Sequence, residues 1–119
     1  DAQLRLTTLT DATGRDTRFA YERTDRPLLI TRITDPFGRS AQLNYDTAGR
    51  LVEIIDVLGL SSQFGYDSAS LINTLTTPYG TTRFTYGENG SQRWIQATDP
   101  LGYTERLEYR HHHRRKRQR

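Results

Sequence analysis

The chain has 119 residues, of which 34% are hydrophobic, and its mean hydropathy is −0.79. That is a lean apolar supply with which to offset the conformational entropy of folding, made up in part by seven Tyr, four Phe and one Trp. Cysteine is absent, so disulfides and thiolate metal sites are excluded, and no stretch nears the roughly 20 apolar residues of a membrane helix. The opening Asp1-Ala2-Gln3 shows no signal-peptide pattern, and a start on Asp is what a processed product or excised fragment would give. The formal charge of +3 misleads, because six of the 17 basic residues lie in 110–119 while all 14 acidic residues precede them. Residues 1–109 hold 11 basic against 14 acidic residues, so the body is mildly acidic and only the tail is strongly basic.

In chain order, short runs of Thr, Ile, Leu, Val and Tyr alternate with turn signals about every ten residues. The predicted strands are 3–10, 17–23, 28–34, 39–45, 50–56, 60–66, 71–76, 81–86, 92–98 and 103–109. No linker is expected within 1–109, and no helical period lasts beyond a turn or two. The first turn signal is Asp11-Ala12-Thr13-Gly14. It returns as Asp35-Pro36-Phe37-Gly38, Asp56-Val57-Leu58-Gly59, Thr77-Pro78-Tyr79-Gly80 and Asp99-Pro100-Leu101-Gly102, with glycine spacings of 24, 21, 21 and 22. Seven residues after the glycine comes a tyrosine in four copies (Tyr21, Tyr45, Tyr66, Tyr109), while Tyr86 follows Gly80 by six. The tyrosine opens a second signal. Tyr45-Asp46-Thr47-Ala48-Gly49-Arg50-Leu51 matches Tyr66-Asp67-Ser68-Ala69-Ser70-Leu71 less one residue, and Tyr86-Gly87-Glu88-Asn89-Gly90 is a degraded copy.

Asp-Pro-x-Gly spells a type I turn. Asp accepts backbone hydrogen bonds at the first position, Pro presets φ at the second, and Gly permits positive φ at the fourth. A turn every ten residues therefore joins hairpins. Period two places Phe19 with Tyr21, Leu43 with Tyr45, Phe64 with Tyr66, Phe84 with Tyr86 and Leu107 with Tyr109 on one face, separated by Ala20, Asn44, Gly65, Thr85 and Glu108. Stacked hairpins would make these pairs a ladder. The return strand Leu51-Val52-Glu53-Ile54-Ile55 leaves its preferred face ambiguous.

The Tyr-Asp-x-x-Gly-Arg-Leu of 45–51 and the Asp-Pro-x-Gly of 35–38 and 99–102 resemble the YD-repeat family of bacterial Rhs proteins, Tc-toxin C components and animal teneurins. Residues 33–109 follow the pattern closely and 1–32 loosely, giving about five repeats of which the first is degenerate. The resemblance implies an all-β fold in which tandem antiparallel hairpins form a curved or spiralling sheet, part of a larger hollow shell enclosing a C-terminal toxin. It also implies a chain that is secreted or at the cell surface as part of an exported parent. Against a complete member, about five repeats are too few to close a shell and no cargo domain follows. The segment in which some members self-cleave with aspartates has no match, so autoproteolysis is not carried over to any Asp here.

The recurrent aspartates Asp35, Asp46, Asp56, Asp67 and Asp99 are read as turn residues, with Pro36, Gly38, Gly49, Gly59, Pro78, Gly80, Pro100 and Gly102. The competing reading, catalytic carboxylates or calcium ligands, lacks any pairing as acid and base. Tyr21, Tyr45, Tyr66, Tyr86 and Tyr109 are read as cross-strand packing residues, with a sugar-binding surface as the rival. Trp94 stands in a segment two residues longer than its counterparts, either as a ligand contact or as a residue that caps or fills a core edge. All three histidines, His111 to His113, lie in the tail, where no scaffold would hold a tetrahedral site. The run from Arg114 to Arg119 has no recognition motif beyond charge and is expected to be an unstructured tail, with non-specific nucleic-acid binding as its rival. No phosphate loop or nucleophile elbow is present.

These readings point to no catalytic site, cofactor or metal. The leading expectation is a structural segment of an Rhs-type shell that scaffolds a C-terminal effector. Its partners would be neighbouring repeats or other copies and the enclosed toxin domain. The alternative is a carbohydrate or cell-surface binding module that uses exposed aromatic residues.

Overall fold

A computed structural model describes residues 1–110. These form ten strands and no helix: β1 (Thr8–Thr10), β2 (Asp16–Ala20), β3 (Arg32–Thr34), β4 (Ser40–Tyr45), β5 (Leu51–Ile55), β6 (Ser61–Tyr66), β7 (Ile72–Thr77), β8 (Gly80–Asn89), β9 (Gln92–Thr98) and β10 (Thr104–Arg110). The strand order is the chain order, an antiparallel meander of tandem hairpins. The chain divides into two compact units, Asp1–Phe64 and Gly65–Arg119, and the division falls inside β6 rather than at a linker. The tail expected to be unstructured lies outside the described residues, except that Arg110 closes β10 opposite Gln92.

Four strand boundaries depart from the sequence expectation by three residues or more. Strand β2 ends at Ala20 rather than residue 23. Strand β1 begins at Thr8 rather than residue 3, because Asp1 to Leu4 make a turn closed by Leu4 N donating to Asp1 O at 3.0 Å. Strand β3 begins at Arg32 rather than residue 28, since Leu29 N bonds Arg26 O at 3.2 Å and Pro27 has no N–H to give a ladder. Strand β8 runs on to Asn89, which pairs with Gln92 across a two-residue loop in which Gly90 has φ of 63°. The Tyr86-Gly87-Glu88-Asn89-Gly90 copy is therefore strand followed by hairpin tip, not a turn at the tyrosine.

In the first unit, register puts Phe19 opposite Ile33, Ile33 opposite Ala41 and Leu43 opposite Ile54. Opposed residues share a face, so these form one ladder. The ambiguity of 51–55 is resolved by a bulge. Asn44 pairs with Glu53 and Tyr45 with Leu51, so Val52 is an extra residue. The insertion resets parity and brings Leu51 and Ile54 to the Leu43 and Tyr45 face, leaving Glu53 and Ile55 on the other.

In the second unit, Phe84 opposes Ala97, while Ile95 is flanked by Tyr86 and Leu107. Beside them lies an open hollow of about 330 Å³ lined by Phe84, Ile95, Ala97, Glu105, Arg106 and Leu107. Neither unit has a covered core. Among the described residues no apolar side chain is buried, and Thr31 alone falls to 9% exposure.

Candidate functional site

The repeated feature is the turn, and one geometry serves six Asp-x-x-Gly-type copies. Asp35 Oδ1 accepts from the amides of Phe37 and Arg39, both at 2.9 Å, while Gly38 N donates to Asp35 O at 3.1 Å and Asp35 N to Arg39 O at 2.8 Å. Asp11, Asp56, Asp67 and Asp99 accept the same two amides at 2.8–3.0 Å. Asp46 Oδ1 accepts the Arg50 amide at 2.9 Å. The fourth residue has positive φ, 81–90° at Gly14, Gly38, Gly49, Gly59 and Gly102. This is a type I turn followed by a left-handed bulge residue, a three-residue hairpin loop. Ser70 holds that position at φ 61°. A seventh copy went unseen in the sequence: Asp1 Oδ1 accepts from Gln3 and Arg5, with Leu4 at φ 58°.

The arginine after the left-handed residue, seen in the sequence only within the 45–51 motif, recurs in four turns. Arg39 Nε donates to Asp35 Oδ2 at 2.7 Å and Arg50 Nε to Asp46 Oδ2 at 2.8 Å. Arg5 pairs with Asp1 at 2.8 Å, and Arg15 sits 3.9 Å from Asp11. The signal is Asp-x-x-x-Arg, present four times. One carboxylate oxygen thus orders the turn backbone while the other holds the arginine. At Asp46 the Arg50 amide, then its side chain, lowers the carboxyl pKa. At Asp11 the Thr13 hydroxyl leads the same effect. At Asp35 desolvation pushes upward but is outweighed by the Arg39 and Phe37 bonds. From the β2–β3 loop, Arg23 donates to Asp46 O at 3.0 Å and Arg26 to Thr47 O at 3.3 Å, bracing the 46–49 turn.

The Thr77-Pro78-Tyr79-Gly80 turn is built differently. Thr77 pairs directly with Gly80, so its loop is Pro78-Tyr79 without a bulge residue, and Thr77 Oγ1 accepts only the Tyr79 amide, at 3.2 Å, of the two that Asp would take. Tyr86 lies six residues beyond Gly80. Tyr45 lies six beyond Arg39, the residue bonded to Asp35. The shortened glycine-to-tyrosine spacing therefore offsets the missing bulge and keeps Tyr86 on the ladder face.

The tyrosines close strand ends. Tyr21 Oη donates to Leu6 O at 2.8 Å, Tyr45 Oη to Ile30 O at 2.7 Å, and Tyr86 Oη to Ile72 O at 2.6 Å, each satisfying a carbonyl near the start of the preceding strand. Tyr66 ends β6 half-buried, and Tyr109 lies opposite Arg93 on exposed β10. On the opposite face of the first unit, Glu53 accepts from Asn44 and Ser61 at 2.7 Å each and from Gln63 at 3.4 Å. Those donors, Ser61 foremost, lower its pKa.

Trp94 faces away from the second unit's ladder. It lies opposite Gly87 and Glu108, with the Arg106 guanidinium over the indole at 4.0 Å. The indole occupies the space a Cβ on Gly87 would need. Four turn tips carry exposed apolar side chains: Phe37 (70%) and Leu58 (80%) in the first unit, Tyr79 (88%) and Leu101 (83%) in the second. No group of three or more His, Asp or Glu is gathered among the described residues, and the recurrent aspartates stand in separate turns.

The family model for the RHS repeat matches three overlapping stretches, residues 1–40, 28–61 and 45–82. The chain belongs to the RHS repeat family. This is a structural repeat family whose members occur in exported or cell-surface proteins. The first match begins at residue 1, and the turn at Asp1 lies within it. The RHS matches end at residue 82, while the turn geometry recurs beyond it at Asp99. No curated protein matches the chain.

Proposed function

We propose that this chain is a wall segment of an Rhs-type toxin-encapsulating shell, confining a C-terminal effector sterically rather than acting on it chemically. The carrying observation is that each unit presents an apolar ladder on one face and fully buries none of its side chains. Hairpin repeats gain stability from their neighbours, so such a surface suits a sheet completed by further repeats. The exposed apolar tips, which the turn itself does not need, suit packing against adjacent repeats. The turn carboxylates, already bonded to turn amides and in four turns also facing an arginine, suit a scaffold.

The test uses the cysteine-free background. Single cysteines at Ala41, on the ladder face, and at Gln42, on the other, are placed in a longer repeat array carrying an effector domain. The Ala41→Cys thiol should resist a bulky reagent in the array and react in the chain alone, while Gln42→Cys reacts in both. Equal labelling of the two positions in the array would defeat the confinement reading.

A further inference from the structure

We propose that Asn89-Gly90, at the tip of the β8–β9 hairpin, is a self-modifying site where the folded chain converts Asn89 to aspartate and isoaspartate, with water as the only co-reactant. The inference rests on this tip and not on the encapsulation reading. Asn89 is the last residue of β8, and its ladder partner is Gln92 across a two-residue loop. Asn89, Gly90 and Ser91 are all exposed. No hydrogen bond among the described residues engages the Asn89 side-chain amide or the Gly90 N–H. Gly90, at φ 63°, has no Cβ to shield its nitrogen. That nitrogen attacks Asn89 Cγ: the N–Cγ bond forms, the Cγ–Nδ2 bond breaks, and Nδ2 leaves as ammonia with the Gly90 amide proton. Water then opens the cyclic succinimide at either carbonyl, giving aspartate or, with the main chain rerouted through Cγ, isoaspartate. The attack needs only the end pair Asn89–Gln92 to open, and such ends open at little cost. The other asparagines are held. Asn44 Nδ2 donates to Glu53 at 2.7 Å, its Oδ1 accepts from Gln42 at 3.0 Å, and half-buried Tyr45 follows it. Asn73 is half-buried within β7, and the branched Cβ of Thr74 flanks the nitrogen that would attack. What changes at Asn89 is charge rather than fold. The product adds one carboxylate to residues 1–109, which hold 11 basic against 14 acidic residues. Isoaspartate lengthens the main chain only at the pair that closes the hairpin, so Glu88 opposite Arg93 and Gly87 opposite Trp94 keep their register.

Incubation of the full chain at mildly alkaline pH, native and in urea, tests the site. A brief tryptic digest cuts after Arg83 and Arg93 and releases 84–93, the peptide that carries Asn89. From the native chain this peptide should gain one dalton, NH2 being replaced by OH, and should separate into aspartyl and isoaspartyl forms. An isoaspartyl methyltransferase should methylate the second form alone. The native rate at Asn89 should lie within about tenfold of the rate in urea, because one pair opens, whereas folding should slow Asn44 and Asn73 by about a hundredfold or more, because whole strands must open. Trp94 emission should stay constant as the acidic variant accumulates. Asn89→Gln, whose longer side chain would have to close a larger ring, should yield no such variant. Protection of Asn89 in the native chain as strong as that of Asn44 and Asn73, a product without isoaspartate, an acidic variant that persists in Asn89→Gln, or Trp94 emission that shifts in step with the variant would each overturn the proposal.

Discussion

Gly87→Ala should destabilise the second unit, although alanine is ordinarily the better strand residue. An ideal Cβ at this position would stand 2.1, 2.2 and 2.4 Å from Cε2, Cζ2 and Nε1 of Trp94. Carbon atoms rest at about 3.5–4.0 Å, so the indole must withdraw by about 1.5 Å. Withdrawal disturbs the Arg106 stack, worth about 0.5–1 kcal/mol at an exposed site, and lifts the ring from the strand, a repacking of about 1–3 kcal/mol. The backbone gain from replacing glycine returns about 0.5–1 kcal/mol. The net cost is about 2 kcal/mol, or roughly 10 °C in melting midpoint. In a Trp94→Ala background the clash is gone and only the backbone gain remains, so the same substitution should stabilise by about 0.5 kcal/mol. The assay is thermal unfolding by circular dichroism for all four proteins. The emission of Trp94, the sole tryptophan, reports its displacement by a red shift. Equal effects of Gly87→Ala in both backgrounds would refute the argument that the glycine exists to seat the indole.

Tyr45→Phe removes the hydroxyl that donates to Ile30 O and should cost about 0.5–1.5 kcal/mol, read as a lower urea midpoint with unchanged slope. Ser70→Gly relieves a left-handed residue at φ 61° and should raise the midpoint by about 1 kcal/mol, whereas Gly49→Ser should lower it. Asp11, Asp35, Asp46 and Glu53 have folded-state pKa values below their ordinary ones, so the stability they contribute is present above about pH 4 and is lost as pH falls through the lowered values. Thermal midpoints taken down to pH 2 should fall in that acid window, and Asp46→Asn should flatten part of the fall. Burial raises the Tyr45 pKa, so its contribution holds below about pH 10 and is lost as pH rises beyond it.

What the sequence made legible was local. Period-two alternation and Asp-x-x-Gly are written within a few adjacent residues, and all ten strands were found from them. What stayed hidden depends on pairing between strands. In Leu51-Val52-Glu53-Ile54-Ile55 four of five residues are apolar, so no alternation reveals the bulge at Val52; only Tyr45 opposite Leu51 does. The seventh turn was masked because Leu4 takes the place of glycine. The seat of Trp94 on Gly87 follows from the Asn89–Gln92 hairpin, which fixes that register only once the loop is placed at Gly90-Ser91. The arginines were legible as a spacing, Asp-x-x-x-Arg, but a spacing names no partner until the turn brings both side chains to one carboxylate.

The two kinds of turn show what the repeat must hold constant. An Asp turn spends one extra residue in a left-handed bulge, while the Thr77 turn spends none. Left alone, that difference would send Phe84 and Tyr86 to the face opposite their counterparts, because a one-residue slip inverts every side chain of a strand. The loss of one residue between Gly80 and Tyr86 cancels it, and Tyr86 still reaches the carbonyl of Ile72. The bulge at Val52 does the same for a return strand, turning Leu51 and Ile54 together onto the tyrosine's face. Loop length, bulge and spacing each vary, but the parity of the ladder does not. A polar turn could tolerate either parity. A face whose apolar residues must meet a neighbour's could not, which favours the proposed reading of the tyrosine ladder as the packing surface and of the turn carboxylates as its framework.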